Sequence, residues 1–329
     1  MDTFKGFTRD LYSINESTFD DIALQLFHFQ AENNPVYKEY LTHLQLDINA
    51  VNSASAIPFL PISFFKNHVV RTGDWKAETV FSSSGTTGHR ASTHSVKNLR
   101  FYLDHSVRCF EYFFGDIGQF HFLALLPSYL ERSDSSLVAM MEYFIQKSRS
   151  HYSGFYLHDT EKLLKDLEKL KKGSKKTVLW GVTFALLDLA ERYHPDLSHC
   201  MVFETGGMKG TRPEITRSEL HAILKTGFGV DAVFSEYGMT ELLSQAYSRG
   251  KNVFSCPPWM KIVGRDMTDP FKNGLLNETA GINVMDFANF DSAVFIETED
   301  MGRVCEDGSF EILGRLDNSD VRGCNLMVE

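Results

Sequence analysis

Between residues 120 and 234 the chain alternates short apolar runs with amphipathic ones, and that alternation leaves few architectures open to it. The run FHFLALL at 120–126 is a candidate buried strand, followed by a helix over 135–147. Residues 177–180 read as a strand and 184–193 as a helix; 200–204 is again strand-like and ends at Gly206-Gly207. The next helix is expected to start at Thr211-Arg212-Pro213-Glu214, where Pro and Glu suit a first turn. Residues 231–234 form another short strand candidate. Strands separated by helices predict an α/β protein with layered sheets flanked by helices.

The flanks differ. Apolar Phe19, Ile22, Leu26 and Phe29 recur at helical spacing and predict a helix over 18–46. Pro58 and Pro61 punctuate an extended passage, IPFLPISFF; Val80-Phe81 reads as a strand end, and 95–114 as a helix. After Val253 the pieces are short and strand-like (262–263, 282–285, 293–296, 310–313), separated by Gly, Asn and Asp. The expected organisation is an α/β core over residues 1–252, with 1–80 as its helical N-terminal portion, and a β-rich C-terminal subdomain over 253–329.

Composition removes several functions. Apolar residues make up 43% and charged residues 23% of the 329, an ordinary globular balance. The formal net charge is −10, and the lysine-rich stretch EKLLKDLEKLKKGSKK at 161–176 mixes signs as a solvated helix face with i,i+4 pairs, ended by Gly173. A nucleic-acid binder needs a basic stripe, so no nucleic-acid partner is expected. No signal peptide opens the chain, and no run of about 18 apolar residues is present to span a membrane. Cys109, Cys200, Cys256, Cys305 and Cys324 are scattered, without zinc-ligand spacing or a nearby HExxH. Reduced thiols in a cytoplasm account for them most simply.

Three segments carry chemistry. In Ser82-Ser83-Ser84-Gly85-Thr86-Thr87-Gly88, hydroxyls and glycines let donors approach an anion closely, without the lysine of a Walker A loop. In Ser235-Glu236-Tyr237-Gly238-Met239-Thr240-Glu241, at a strand end, a tyrosine face suits an adenine ring and a carboxylate suits Mg²⁺. Thr298-Glu299-Asp300 followed by Gly314-Arg315-Leu316-Asp317 offers an Asp to accept from ribose hydroxyls and an Arg beside it. Alone, each also reads as a flexible loop, a capped turn or a surface ion pair. A dinucleotide fold fails for want of GxGxxG, since Gly206-Gly207-Met208-Lys209-Gly210 lacks that spacing.

Taken in order, these segments resemble the adenylate-forming superfamily of acyl-CoA synthetases, firefly luciferase and peptide-synthetase adenylation domains. That family carries a (S/T)SGTTG loop, a GG or GA turn, YGxTE, TGD and GRxD. The matches are residues 83–88, Gly206-Gly207, 237–241, 298–300 and 314–317, so the resemblance covers the chain from residue 81 onward. Two departures stand out: His89-Arg90-Ala91 follows the loop where the family has Pro-Lys, and Glu299 replaces the glycine of TGD. The tail GRLDNSDVRGCNLMVE is similar to the acyl-protein synthetase (LuxE-type) family, which carries an acyl-accepting cysteine at the position of Cys324. The segment from Leu126-Pro127-Ser128-Tyr129 to Ser136 is similar to a short post-strand motif of that group. With the chain ending at Glu329, a core without the mobile C-terminal lid domain is expected.

The resemblance implies ATP-dependent activation of a carboxylic acid, a fatty acid for the LuxE type, with pyrophosphate released. Residues 82–88 would hold the β- and γ-phosphates. Thr240 and Glu241 would manage the α-phosphate, with Glu241 on Mg²⁺. Tyr237, Gly238 and the Gly206-Gly207 backbone would hold adenine, and Asp300 and Arg315 the ribose. The acyl group would pass to a thiol: Cys324, whose neighbour Arg322 would lower its pKa, or CoA, or a carrier protein. An acyl-CoA reductase or an acyltransferase are further partners implied. The alternatives are a phenylacetate-type acyl- or aryl-CoA ligase and a non-catalytic nucleotide-binding partner. The Phe101, Phe110, Phe113 and Phe114 stripe is expected to be core rather than acyl tunnel. His121 and Tyr129 lie near a predicted strand's ends, where they would be candidates to line the carboxylate pocket, with a satisfied structural role expected for His121.

Overall fold

The structure, a computed structural model, describes residues 6–83, 90–127, 131–206 and 215–316. After a short helix α1 (Phe7–Asp10), helix α2 (Glu16–Asn33) opens on a capping box made by Asn15 and Thr18. A single helix over 18–46 was the expectation; instead the chain breaks at Asn34, and α3 (Pro35–His43) starts again. Pro35 disfavours a helical residue before it, and Asn34 is extended at φ −101°, where its side chain caps α3 through the Tyr37 N–H at 3.1 Å.

Strand β1 (Leu60–Pro61) and helix α4 (Phe64–Asn67) follow. A hairpin then joins β2 (Thr79–Ser82) to β3 (Thr93–Val96), with Ser82 opposite Thr93. Ser95 and Val96, expected in a helix, belong to this hairpin; α5 (Leu99–Phe114) begins only after Asn98, which caps it by accepting from the Phe101 N–H at 2.8 Å.

The alternation then unfolds: β4 (Phe120–Leu125), α6 (Ser136–Ser148), β5 (Gly154–Phe155), α7 (Thr160–Leu170), β6 (Lys176–Val182), α8 (Thr183–Tyr193), β7 (Cys200–Thr205), α9 (Arg217–Phe228) and β8 (Val233–Tyr237). Helix α7 ends at Leu170, ahead of Gly173, and its ion pairs are i,i+3 (Asp166–Lys169, 2.9 Å), not i,i+4. The start expected at 211–214 lies outside the described residues; α9 opens at Thr216, in a capping box with Glu219. The antiparallel remainder comprises β9 (Ala246–Ser248), β10 (Val253–Ser255), β11 (Met260–Arg265), β12 (Thr279–Asp286), β13 (Phe295–Val304) and β14 (Phe310–Arg315).

One sheet takes nearly all of these in the order β11-β12-β13-β14-β10-β9-β8-β7-β6-β4-β5, parallel from β8 to β5 and antiparallel elsewhere, with β1 added in parallel to β13. The strands after residue 253 thus continue the sheet through β9 and β10. Fully buried β4 reads FHFLAL without polar alternation, as a strand covered on both faces must.

Successive residues of β6 identify the covers, because neighbouring side chains point to opposite faces. Trp180 stacks on Phe203 at 4.6 Å and meets Phe110 of α5 and Phe144 of α6. Next to it, Gly181 faces α8 so closely that a Cβ would come within 2.9 Å of the Leu186 side chain. Phe110 is the hub of the aromatic layer, against Phe114, Phe120, Phe122, Phe144 and Tyr247. Of the phenylalanine stripe, Phe110 is core, and Phe101, Phe113 and Phe114 are half-buried against it. His121 bonds the Ser150 hydroxyl at 2.6 Å, a satisfied structural group; Tyr129 lies outside the described residues.

Candidate active site

The C-terminal ends of parallel strands are where α/β sheets bind ligands, and here β7 and β8 deliver Thr205-Gly206 and Glu236-Tyr237 to that edge. The chain from Gly238 to Gln245 then crosses the edge and returns as β9. Three other elements converge on it.

The first is the β2–β3 hairpin. Ser83 and Ser92 close its described stem: the Ser83 N–H donates to the Ser92 carbonyl at 3.0 Å, and the Ser92 N–H returns a bond to Ser83 Oγ at 2.9 Å. The Ser82 N–H donates to the Asp134 carbonyl at 2.8 Å, which ties the hairpin to the segment leading into α6. Ser84, Gly85, Thr86, Thr87, Gly88 and His89 lie outside the described residues.

That stem stands over Glu241. Its carboxylate is buried and hydrogen-bonded by Ser92; burial pushes its pKa up, against the pull of Ser92, Arg315 and Lys66. The backbone beside it is fixed twice. The Thr240 carbonyl accepts from His94 Nδ1 at 2.8 Å, and the Glu241 carbonyl accepts from Asn289 Nδ2 at 2.7 Å. Because a carbonyl only accepts, His94 must carry its proton on Nδ1. Burial lowers its pKa to about 4 and keeps the ring neutral.

The second element is the β13–β14 pair, in which Asp300 lies opposite Arg315. Tyr237 donates to Asp300 Oδ2 at 2.8 Å, and Arg315 Nε stands 3.5 Å from Oδ1. Asp300 is 8% exposed and burial raises its pKa, while the Arg315 side chain is 78% exposed and reaches out to solvent. The Asp300 N–H donates to Thr298 Oγ1 at 3.1 Å, so the backbone also holds the carboxylate in place.

The third is α4, which the sequence did not mark. Lys66 extends from it to Glu299 Oε1 at 3.3 Å.

The structure therefore brings Ser82, Ser83, Gly206, Tyr237, Gly238, Thr240, Glu241, Asp300 and Arg315 to one edge of one sheet. Gly206 follows β7 at φ +74°, and its carbonyl accepts from Thr183 Oγ1 at 2.6 Å. A Cβ at Gly238 would meet Glu236 Oε1, so a larger residue there would displace that carboxylate. Gly207, Asp317 and Cys324 fall outside the described residues.

Sequence reasoning missed Ser92, His94, Glu236, Asp286 and Lys66. Glu236 accepts from Thr205 Oγ1 at 2.8 Å, and burial together with nearby Glu204 pushes its pKa up to about 7, against that bond. Asp286 receives the Leu243 and Ser244 N–H groups at 2.8 Å each and so anchors the chain just past Glu241. A signal existed only for Glu236, a carboxylate before a YGxTE-like run.

No protein-family model matches the sequence, and no curated protein matches it either. Solved structures do, and the chain has the fold of adenylate-forming ligases. It superposes on an open conformation of 2-hydroxyisobutyryl-CoA ligase, in complex with 2-HIB-AMP and CoA, with a TM-score of 0.66 at 12% identity, over 93% of this chain and 72% of that one. The same ligase in its thioesterification state gives 0.65 at 13% identity, over 94% and 71%. The O-succinylbenzoate coenzyme A synthetase of Bacillus subtilis, in complex with AMP, gives 0.50 at 18% identity, over 74% and 50%.

Among the described residues no helix is long and apolar enough to cross a membrane, no three His, Cys, Asp or Glu side chains cluster to hold a metal, and Cys109, Cys200, Cys256 and Cys305 are free thiols.

Proposed function

We propose that this protein activates a carboxylic acid with ATP, forming an acyl-adenylate and pyrophosphate. The observation that carries the reading is the convergence of Glu241, Asp300 and the stem of the Ser/Thr/Gly hairpin at one sheet edge, although Ser82 and Asp300 are 218 residues apart in the 329-residue chain. A carboxylate oxygen of the substrate attacks the α-phosphorus, the bond to the bridging oxygen breaks, and the electron pair leaves with pyrophosphate. Such a transfer asks the protein for in-line positioning and charge neutralisation rather than covalent participation.

The residues have distinct parts in it. Asp300, fixed by Tyr237 and Thr298, is placed to accept from ribose hydroxyls, with Arg315 beside it. Gly206 and Tyr237 border the adenine position. Residues 82–88 are assigned the β- and γ-phosphates, and Thr240 the α-phosphate. Glu241 is a carboxylate kept buried at a cost in solvation, which suits a group awaiting a cation. Mg²⁺ at Glu241 would supply charge neutralisation, taking its other ligands from phosphate and water, as this ion does.

The finer reading is an acyl-protein synthetase acting on a fatty acid, with Cys324 as acceptor; the resemblance of the tail supports it. The thiolate attacks the acyl carbonyl and expels AMP. A CoA ligase is the second reading, favoured because the solved structures named above are CoA ligases. Carrier-protein thiols and an acyl-CoA reductase or acyltransferase partner belong to the same scheme.

Pyrophosphate exchange into ATP, run against a panel of fatty and aromatic acids, tests the first step. Acid-dependent exchange is expected; silence across the panel reduces the protein to nucleotide binding. Intact mass after ATP and acid then separates the acceptors. A mass gain abolished by Cys324→Ala is expected, whereas acyl-CoA formed with an unmodified protein selects the ligase.

A further inference from the structure

We propose that Lys66 is a phosphate-binding cation of this site, held on Glu299 until a nucleotide arrives; the assignment rests on the adenylation reading above. Its position is set by the chain on both sides. The Ile62 N–H donates to the Glu297 carbonyl at 2.8 Å, extending the β1–β13 pairing to the foot of α4. One residue before the lysine, Phe65 is fully buried with its ring on His94 at 5.7 Å, T-shaped, and His94 in turn holds the Thr240 carbonyl. The backbone at residue 66 is thereby pinned between the strand bearing Asp300 and the strand that ends the phosphate hairpin.

From that anchor the side chain reaches the site. Its ammonium lies 3.3 Å from Glu299 Oε1, on the residue next to Asp300, with the lysine 35% and the glutamate 31% exposed. Half-exposed ion pairs contribute little and exchange partners readily. A polyphosphate offers several charged acceptors where Glu299 offers one carboxylate, so the lysine gains by moving across. Arg315, 3.5 Å from Asp300, is assigned to the ribose beside that carboxylate in the reading above. Carboxylates Glu241, Glu297, Glu299 and Asp300 outnumber the cations Lys66, Arg265 and Arg315 here, and Arg265 is buried against Glu297 and the Thr298 carbonyl, which makes each remaining cation count when a polyanion enters. A four-carbon stem on a fixed backbone lets the charge follow the phosphate while it is transferred. Glu299, where the resembled family has glycine, supplies the resting partner.

The test compares wild type, Lys66→Ala, Lys66→Met and Lys66→Arg by pyrophosphate exchange over a range of ATP concentrations, by binding of ATP itself, and by thermal melting. Removing the ammonium should lower kcat/KM for ATP by about 10²–10³-fold, the usual cost of losing one preorganised donor to developing charge. Arginine should restore it to within about tenfold, because charge is what is needed. Melting temperatures should stay close to wild type, with Lys66→Met covering any packing loss in the alanine variant. A merely structural ion pair predicts the reverse: exchange unchanged in Ala and Met, which overturns the assignment while the adenylation reading stands. Wild-type protein that exchanges with no acid overturns that reading instead. ATP binding then decides for Lys66 alone: weakening by tenfold or more in both Ala and Met upholds it, and equal affinity overturns it.

Discussion

Tyr237 and Asp300, 63 residues apart in sequence, share a hydrogen bond of 2.8 Å that joins the last parallel strand to the antiparallel half of the sheet. Both are buried, so the bond is between a phenol and a carboxylate largely removed from water. It makes the proposed ribose-binding carboxylate part of the fold's own wiring, because the group that orients Asp300 is the same one proposed to border adenine.

Tyr237→Phe keeps the ring against Phe254 and Phe310 and removes only the donor. Asp300 then keeps a single side-chain partner, the exposed Arg315. Stability should fall by about 1.5–3 kcal/mol, the range for a hydrogen bond to a charged group. KM for ATP should rise with kcat less affected, since nucleotide binding rather than chemistry loses its support. Chemical denaturation and steady-state exchange measure the two effects separately. An unchanged KM for ATP would remove Asp300 from the nucleotide site.

Glu241→Gln should separate stability from function. Burial raises the Glu241 pKa, so the fold binds its proton more tightly than the unfolded chain does. Stability attached to this group is therefore lost as pH rises through the raised value, and a neutral isostere escapes that loss. The variant should be at least as stable as wild type at pH 8. Its exchange activity should fall by about 100-fold or more, because a preorganised charge at the reacting phosphate has gone. A variant that is both stable and fully active contradicts the assignment.

Glu236 makes the same argument in a measurable window. Its pKa is pushed up to about 7 from 4.5, by burial first, with nearby Glu204 adding to it. Between those values the folded protein holds a proton that the unfolded chain has released, so stability declines as pH rises from about 4.5 to 7. Glu236→Gln should flatten that part of the profile and stabilise the protein at pH 8 by on the order of 1–2 kcal/mol, given the group's partial exposure. Urea midpoints at pH 5 and pH 8 read it directly.

The layered architecture was legible because buried parallel strands cannot hide their composition: FHFLAL and KTVLWGV are apolar apart from His121, Lys176 and Thr177, and amphipathic helices separate them. The hairpin at 79–96 was half missed, since the strand Thr93–Val96 is too short to show a period and adjoins a true helix. Tyr237, Glu241, Asp300 and Arg315 were legible as members of ordered motifs. Lys66, His94 and Asp286 were not. Each acts through a contact made only in three dimensions, such as His94 on the Thr240 carbonyl 146 residues away, and no local spacing announces a contact of that kind.

Asp286 carries the last prediction, and it turns on which atoms of the carboxylate are used. Oδ2 accepts the Leu243 and Ser244 N–H groups at 2.8 Å each; Oδ1 accepts the Ser244 hydroxyl at 2.6 Å and the Ala288 N–H at 3.2 Å. Every partner is a donor to one oxygen or the other, so an amide in either flip must turn its NH₂ toward at least one N–H. Asp286→Asn therefore leaves buried donors unsatisfied despite its equal size, and should cost about 2–4 kcal/mol. The affected chain, 243–244, follows directly on Glu241. Exchange activity should therefore fall further in Asp286→Asn than in a core variant of equal destabilisation such as Leu186→Ala, whose side chain packs on the α8 face of the sheet. Matching the two by urea midpoint and comparing kcat isolates the positioning effect. Equal activity in the matched pair would reduce Asp286 to a structural residue.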